Sequence, residues 1–174
     1  AFADCVSLEE FIIPQTIKII EEGTFRRCKR LNILEFPQNL EEIRDRAFEG
    51  CESIESVILS QKFKKLGSAA FKNCKNLSMF VIPGVLSIVK NLYEIARDQN
   101  GNSEVEFTFS KHCFEGCNSF VHAHFYKIQS LILEESAFYH CISIKTMNLN
   151  SSGTGEIQSS VFGHCSSLAE IVLP

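Results

Sequence analysis

The sequence contains no tryptophan, only two methionines and only four prolines among its 174 residues, and no apolar run in it reaches 18 residues. A helix that crosses a bilayer needs about 20 consecutive apolar residues, so we expect no membrane span in this segment. A charged stretch followed by an apolar core, the pattern of a secretory signal peptide, is also missing. Because the chain starts and stops inside a recurring motif, we expect it to be a segment of a longer protein.

The chain also lacks a strong positive charge. Its formal net charge is −4 and its isoelectric point is about 5.8, while its basic residues cluster only in two short, interrupted groups, 26–30 and 62–65. Nucleic-acid binding needs a broad basic face, so we expect no nucleic-acid partner. An apolar fraction of 45% and a charged fraction of 22% are typical of a folded, soluble protein.

Phenylalanine and cysteine are abundant instead, with 15 and 8 residues. A frame of a small residue, Phe, two variable residues, Cys, two variable residues and an apolar residue recurs along the chain. Its phenylalanines are Phe2, Phe25, Phe48, Phe71, Phe114, Phe138 and Phe162. The steps between them are 23, 23, 23, 43, 24 and 24 residues. A fixed period of this size predicts a solenoid of stacked coils.

Each repeat predicts one short strand and one return segment. Two apolar residues separated by one variable residue follow each Phe, as Val57 and Leu59 follow Phe48, and this alternation is that of a strand. A second apolar site, such as Ile43, lies five residues before each later Phe and marks the return segment. Since no coil buries its apolar side alone, neighbouring coils must stack, with parallel strands about 4.8 Å apart.

The period breaks once, between Phe71 and Phe114, where extra residues lie within 84–110. The segment 98–103 is a strong turn signal, and 105–109 alternates like a strand. These patterns predict a hairpin or folded loop between the fourth and fifth repeats; a degenerate repeat without its Phe and Cys is the alternative. Since long loops in compact arrays are often functional, this insertion is a candidate contact site.

The frame Ala-Phe-x-x-Cys-x-x-Leu-x-x-Ile-x-Ile-Pro, best matched at 1–14, 46–59 and 70–83, resembles the BspA-type leucine-rich repeats, whose repeat length is also 23 residues. The segment 15–25 resembles the return segment of that family. The resemblance implies an α/β-type repeat solenoid, mostly β, in which a right-handed coil carries a parallel β-sheet on its concave side. We expect about seven coils and one insertion within a single domain, 1–174.

The same resemblance implies a cell-surface or secreted protein that adheres to host or extracellular-matrix proteins, and it brings no catalytic residue, cofactor or metal. We therefore expect a non-catalytic module that binds a protein ligand. An intracellular scaffold or a signalling-receptor segment with the same fold is the alternative function. A Cys-dependent hydrolase is the remote alternative.

Repetition predicts that phenylalanine and cysteine side chains stack as a structural ladder between coils. The ladder residues singled out are Phe25, Phe48, Phe71, Phe138, Cys28, Cys51, Cys74 and Cys141. We expect buried free thiols, since a buried Cys behaves as a small hydrophobe, parallel side chains are poorly placed for a disulfide, and a one-residue-wide ladder lacks the tetrahedral arrangement of a zinc site. A serine at Cys51 is therefore expected to destabilise the fold, because it places a hydroxyl among apolar neighbours, at a cost of about 1–3 kcal/mol if that hydroxyl is unpaired.

Histidines provide two further candidate sites. His122 and His124 project from the same face of the fifth predicted strand, and two imidazoles can chelate a metal, but the residues expected beside them, Thr146 and Asn148, are poor ligands. We therefore expect these histidines to face solvent or a protein ligand.

His140 and His164 each precede a ladder cysteine and are expected to stack. Nucleophilic catalysis needs a base beside an exposed thiolate, whereas the ladder thiols are expected to point into the core. These pairs therefore do not favour an enzyme.

The outward strand positions are the candidate partner-binding face, on the concave sheet. The residues singled out are Ile12, Glu35, Ile58, Met79, Val81, His122, His124 and Asn148. The apolar members would be exposed, and exposed apolar patches often mark interaction sites, which solenoids form on their sheets. The alternative is that β-branched residues occur there simply because they favour strands.

Overall fold

The computed structural model of the chain describes residues 1–60, 62–82, 86–89, 106–125, 129–149 and 154–173. Its strands are β1 (Glu10–Ile12), β2 (Ile19–Ile20), β3 (Ile33–Glu35), β4 (Glu42–Ile43), β5 (Ser56–Ile58), β6 (Lys65–Leu66), β7 (Met79–Ile82), β8 (Leu86–Val89), β9 (Glu106–Phe109), β10 (His122–Phe125), β11 (Ser130–Leu133), β12 (Thr146–Leu149), β13 (Thr154–Ile157) and β14 (Glu170–Val172). The predicted repeat solenoid, mostly β, is confirmed. Because the return segments are short strands, the described residues contain no helix, and the α part of the expected class is absent there.

The strands form a front sheet and a back sheet. The front sheet contains β1, β3, β5, β7, β8, β10, β12 and β14, and the back sheet contains β2, β4, β6, β9, β11 and β13. The back sheet is continuous and parallel. The front sheet has two pieces, β1–β3 and the six strands from β5 to β14, because no pairing joins β3 to β5 in the described part of the chain.

Strand β8 is an exception to the parallel stacking expected from the repeats. It runs antiparallel to both β7 and β10, with Ser87 opposite Val81 on one side and His124 on the other. Part of the insertion therefore adds a strand to the front sheet. The strand predicted at 105–109 is β9, which takes the return position beside β6, and the predicted turn at 98–103 lies outside the described residues.

The number of complete turns is slightly lower than the seven predicted coils. Seven front strands follow the repeat positions, so six intervals separate them, and five of these are regular. The remaining interval, between β7 and β10, contains the antiparallel strand β8. The coil count from the sequence differs because it counts repeats and not closed turns.

A column of phenylalanine rings forms the centre of the core. The buried rings of Phe25, Phe48 and Phe71 stack with centroids 5.3 Å and 5.1 Å apart. Phe114 continues the column 6.2 Å from Phe71, and Phe80 of β7 packs edge-on against Phe71 at 5.2 Å. Such aromatic pairs contribute about 0.5–1.5 kcal/mol each beyond their burial, so the column joins each coil to the next.

The turns that carry these phenylalanines stack through their backbones. The N–H groups of Gly23 and Phe25 donate to the carbonyls of Asp45 and Ala47 in the next coil, at 3.0 and 2.8 Å. Equivalent bonds recur in the later turns up to 136–141, where the Phe138 N–H donates to the Val161 carbonyl at 3.0 Å. The turn ladder is the stack of segments 23–28, 46–51, 69–74, 112–117, 136–141 and 160–165. It forms a third hydrogen-bonded connection between coils beside the two sheets.

Each turn also requires two left-handed residues, two positions before and two after its Phe. Around Phe48 these are Arg46, with φ of 54°, and Gly50, with φ of 73°. Glycine fills this role only at Gly23, Gly50 and Gly116 of the described turns. The remaining left-handed positions hold L-residues in a conformation that glycine adopts more readily. The turn ladder therefore carries local backbone strain.

Candidate functional site

The structure places the eight predicted partner-binding residues on the front sheet. They occupy two rows, with Ile12, Glu35, Ile58, Val81, His124 and Asn148 in one and Met79 and His122 in the other. Ser87 of β8 lies in register between Val81 and His124. The rows therefore continue across the antiparallel strand.

Exposure differs along these rows. Ile12 and Ile58 are 63% and 60% exposed, because they lie on β1 and β5, the edge strands of the two pieces of the front sheet. Met79 and Val81 were expected to be exposed, and this expectation is wrong, since both are half-buried. Their strand, β7, is flanked by β5 and by β8, and neighbours on both sides cover its side chains.

A cavity of about 180 Å³ opens at the other end of the front sheet, between β10, β12 and β14. Its lining residues are Ala123, His124, Thr146, Met147, Asn148, Glu170 and Val172. Burial lowers the pKa of His124, which is therefore neutral at pH 7. The sequence prediction included His124 and Asn148 but not Glu170, although Glu170 holds an outward position on the strand of the next repeat, β14.

His122 lies at the margin of this cavity. Its Nδ1 atom is 2.9 Å from the Thr146 hydroxyl oxygen, which orients the ring. Burial, and then the positive charge of Lys145, lower the pKa of His122. In the described part of the chain, no three His, Cys, Asp or Glu side chains come together as a metal site would require.

The ladder cysteines are free, and those named in the sequence prediction, Cys28, Cys51, Cys74 and Cys141, are buried. The Cys51 thiol donates to the Phe25 carbonyl of the preceding coil at 3.0 Å, and that carbonyl also accepts the Cys28 N–H at 3.0 Å. A serine at Cys51 would thus find an acceptor in the Phe25 carbonyl, so the larger cost expected for an unpaired hydroxyl does not apply.

Burial also keeps these thiols protonated. It is the largest cause of the raised pKa of Cys51 and of Cys74. A nucleophile needs a lowered pKa and access to substrate, and these thiols have neither. The imidazoles of His140 and His164 stack with centroids 4.7 Å apart, while the adjacent thiols of Cys141 and Cys165 donate to backbone carbonyls.

A family model for the BspA type leucine rich repeat region matches residues 1–95 and 102–174, in six copies. The chain belongs to the BspA-type leucine-rich repeat family. No curated protein matches it.

Solved structures similar to this BspA-type chain share its fold. A leucine rich cell surface protein from Faecalibacterium prausnitzii is 18% identical, with a TM-score of 0.50 over 98% of this chain and 61% of that one. A leucine-rich repeat protein from Eubacterium ventriosum is 16% identical, with a TM-score of 0.55 over 92% and 42%. The T. pallidum Leucine Rich Repeat protein is 22% identical, with a TM-score of 0.54 over 83% and 68%. The chain spans about three fifths of the Faecalibacterium protein.

Ion pairs between coils are a feature of this BspA-type chain that the sequence prediction missed. Lys64 Nζ lies 2.8 Å from Glu41 Oε2, and Lys18 Nζ lies 3.6 Å from Glu41 Oε1. Lys29 and Lys75 contact Glu52 in the same way, at 3.4 and 3.1 Å. The signal was available, because partners in each set are spaced by one repeat of 23 residues. These exposed pairs each contribute little stability.

Two larger cavities of the BspA-type chain lie away from the front sheet. One, of about 570 Å³, runs along the back sheet beside Lys64, Phe107, Ile132 and Glu134. The other, of about 460 Å³, follows the turn ladder, where the cations Lys29 and Lys75 already contact Glu52. Neither includes any of the eight residues singled out on the strands, although the first is lined in part by Glu106, Phe107, Thr108 and Ser110 of the insertion.

Proposed function

We propose that this chain is a non-catalytic protein-binding module of a cell-surface or secreted protein, and that it adheres to a host or extracellular-matrix protein. The contact surface is the outer face of the front sheet. The insertion within 84–110 contributes to this surface through β8, which lies in the middle of the sheet.

The observation that carries the proposal is the exposure of two large apolar side chains on one sheet face. Ile12 and Ile58 are 63% and 60% exposed and hold the same outward position of their repeats, and the exposed Glu35 lies in register beside Ile12. Removing such side chains from water on binding stabilises a complex. Aligned apolar residues with a polar neighbour are typical of an interaction patch.

The surface location is supported by the family relationship. The Faecalibacterium structure is described as a leucine rich cell surface protein. No helix in the described residues is long and apolar enough to cross a bilayer.

A catalytic role has less support than binding. The raised pKa values of the buried thiols, caused chiefly by desolvation, disfavour the hydrolase alternative.

The proposal is tested with a double variant, Ile12→Asp with Ile58→Asp, against a panel of purified extracellular-matrix proteins on a biosensor surface. We expect the wild-type chain to bind at least one member saturably. The double variant should lose about tenfold or more in affinity, because each new carboxylate must be desolvated in the complex. The control is Ile19→Asp, which places the same charge at a 37% exposed apolar residue of the back sheet.

Binding that is unchanged in the double variant, or equally weakened by Ile19→Asp, would remove the front sheet as the contact surface. Absence of saturable binding to every member of the panel would contradict the matrix-adhesion function. Matching circular-dichroism melting curves ensure that the compared variants are equally folded.

A further inference from the structure

The 180 Å³ cavity between β10, β12 and β14 is the most specific polar feature of the front sheet. Parallel pairing places Asn148 between His124 and Val172, and Thr146 between His122 and Glu170. The cavity is smaller than a typical small-molecule site of about 300–1,000 Å³. Its size fits a single side chain of a protein partner.

One atom of this cavity lacks the partner that a buried polar atom normally has. The side-chain oxygen of Asn148 is buried and accepts no hydrogen bond from the residues that the structure describes. Leaving a buried acceptor unsatisfied costs free energy, so each such group in a native structure calls for an explanation. A hydrogen-bond donor delivered by a ligand would satisfy it.

The charges around the cavity favour a cation. Glu170, on the edge strand β14, is exposed and forms no ion pair within the described residues. His124 adds no positive charge at pH 7, because burial lowers its pKa, and the same holds for His122. The positive charge of Lys145, which precedes β12, also lowers the pKa of His122, but Lys145 does not line the cavity.

We propose that this cavity receives the guanidinium group of an arginine side chain from the protein partner. The guanidinium is a planar fork of five N–H donors. It can donate inward to the Asn148 oxygen and outward to the Glu170 carboxylate at the same time. Lysine presents a more strongly hydrated point charge without this fixed fork, so arginine fits the two separated acceptors better. This inference rests on the proposed protein-binding function and specifies one contact within it.

The test is a nuclear magnetic resonance titration of the full 174-residue chain with the tripeptide acetyl-Gly-Arg-Gly-amide. The neutral isostere acetyl-Gly-citrulline-Gly-amide and the lysine analogue are the matched probes. We expect saturable shifts of the backbone amides of β12 and β14 with the arginine peptide, and binding weaker by about fivefold or more with the other two.

Two variants locate the contact. Glu170→Gln removes the charge at an exposed position and keeps the side-chain shape, and Asn148→Leu replaces the unsatisfied amide by an apolar side chain of similar size. Both should weaken arginine-peptide binding by about fivefold or more, and Asn148→Leu should leave the melting temperature unchanged or raised. Ile19→Asp, on β2 of the back sheet, should leave this titration unchanged.

The proposal is overturned if citrulline or lysine peptides bind as well as the arginine peptide, if no saturable shift occurs in β12 and β14, or if both variants bind like the wild type. Its failure is distinct from failure of the proposed function. A matrix partner whose binding depends on Ile12 and Ile58 but not on Glu170 and Asn148 would support the module and refute the arginine contact.

Discussion

The carbonyl oxygen of each ladder phenylalanine accepts two hydrogen bonds, one from its own turn and one from the next coil. For Phe48 these are the Cys51 N–H at 3.1 Å and the Cys74 thiol at 3.1 Å. The cysteine thus closes its own turn through its backbone and joins the preceding coil through its side chain. This double role explains why Cys recurs where another small apolar residue would fill the same volume.

Substitutions of Cys51 separate the stability contributed by its thiol hydrogen bond from the stability contributed by its side-chain volume. Cys51→Ser keeps a donor for the Phe25 carbonyl, so we expect a cost of about 1 kcal/mol. Cys51→Ala removes the donor and leaves a cavity, so we expect a larger cost of about 1–3 kcal/mol. Urea unfolding of both variants measures these differences. A serine variant less stable than the alanine variant would show that the thiol hydrogen bond does not stabilise the fold.

Residue spacing predicted the ladder positions because identical side chains in stacked coils must meet. It did not predict the thiol hydrogen bond, since the acceptor is a backbone carbonyl and carbonyl direction depends on φ and ψ. It also did not single out Asn148 as unsatisfied or Glu170 as a lining residue. Those properties depend on which neighbouring side chains cover a position, and the outward positions vary from repeat to repeat.

At the scale of the structural element, the stacked turn is the unit that repeats most faithfully. Its two left-handed positions recur in every described turn from 23–28 to 160–165, although glycine marks only three of them. Sequence reasoning recognised the Phe and Cys of these turns but not their backbone conformation, because residues such as Arg46 and His140 give no turn signal.

Replacing an L-residue at a left-handed position by glycine should stabilise the folded chain. Arg46 is exposed, with φ of 54°, and a left-handed L-residue costs about 1–2 kcal/mol, which the greater freedom of glycine in the unfolded chain offsets in part. We therefore expect Arg46→Gly to raise the free energy of unfolding by about 0.5–1 kcal/mol, as measured by urea unfolding.

The matched control is Gly23→Ala at the equivalent position of the preceding turn. Gly23 has φ of 59°, and a Cβ there would meet only the Arg26 Cβ at 4.0 Å, so steric clash does not contribute. We expect this variant to lose about 1 kcal/mol. A gain in stability for Gly23→Ala, or a loss for Arg46→Gly, would refute the strain explanation.

For the whole molecule, the back sheet has its fewest paired positions at the junction between the fourth and fifth repeats. The back sheet crosses it through a single paired position, Leu66 with Phe109. The front sheet crosses it through β8, which pairs antiparallel on both sides. The turn ladder continues unchanged, since the Phe71 N–H donates to the Cys113 carbonyl at 2.9 Å.

Native-state hydrogen exchange at rising denaturant concentration tests this junction. Solenoid stability is a sum of repeat and nearest-neighbour terms, so a weak interface divides the chain into separate cooperative units. We expect the slow-exchanging amides of residues 1–82 and of residues 106–173 to follow two distinct unfolding free energies. A single value shared by both groups would contradict a weak junction.

The solenoid class and the repeat frame could be predicted from the sequence because the period is fixed and the ladder residues are uniform. The antiparallel strand β8 could not, because 86–89 interrupts the period and one short apolar segment does not determine strand direction. The predicted strand within 105–109 was recognisable, since Phe107 and Phe109 alternate with polar residues and are buried in β9.

The turn ladder also has a mechanical consequence. Its hydrogen bonds run from one coil to the next, as do those of both sheets, so a force that separates the two ends of the solenoid loads them along their own direction. Bonds loaded in this way break one coil at a time. Apart from the 43-residue interval between Phe71 and Phe114, each release frees a repeat of 23 or 24 residues, which extends to roughly 80 Å. Under tension, the stacked turns would thus open one after another, and most of them would lengthen the chain by a similar amount.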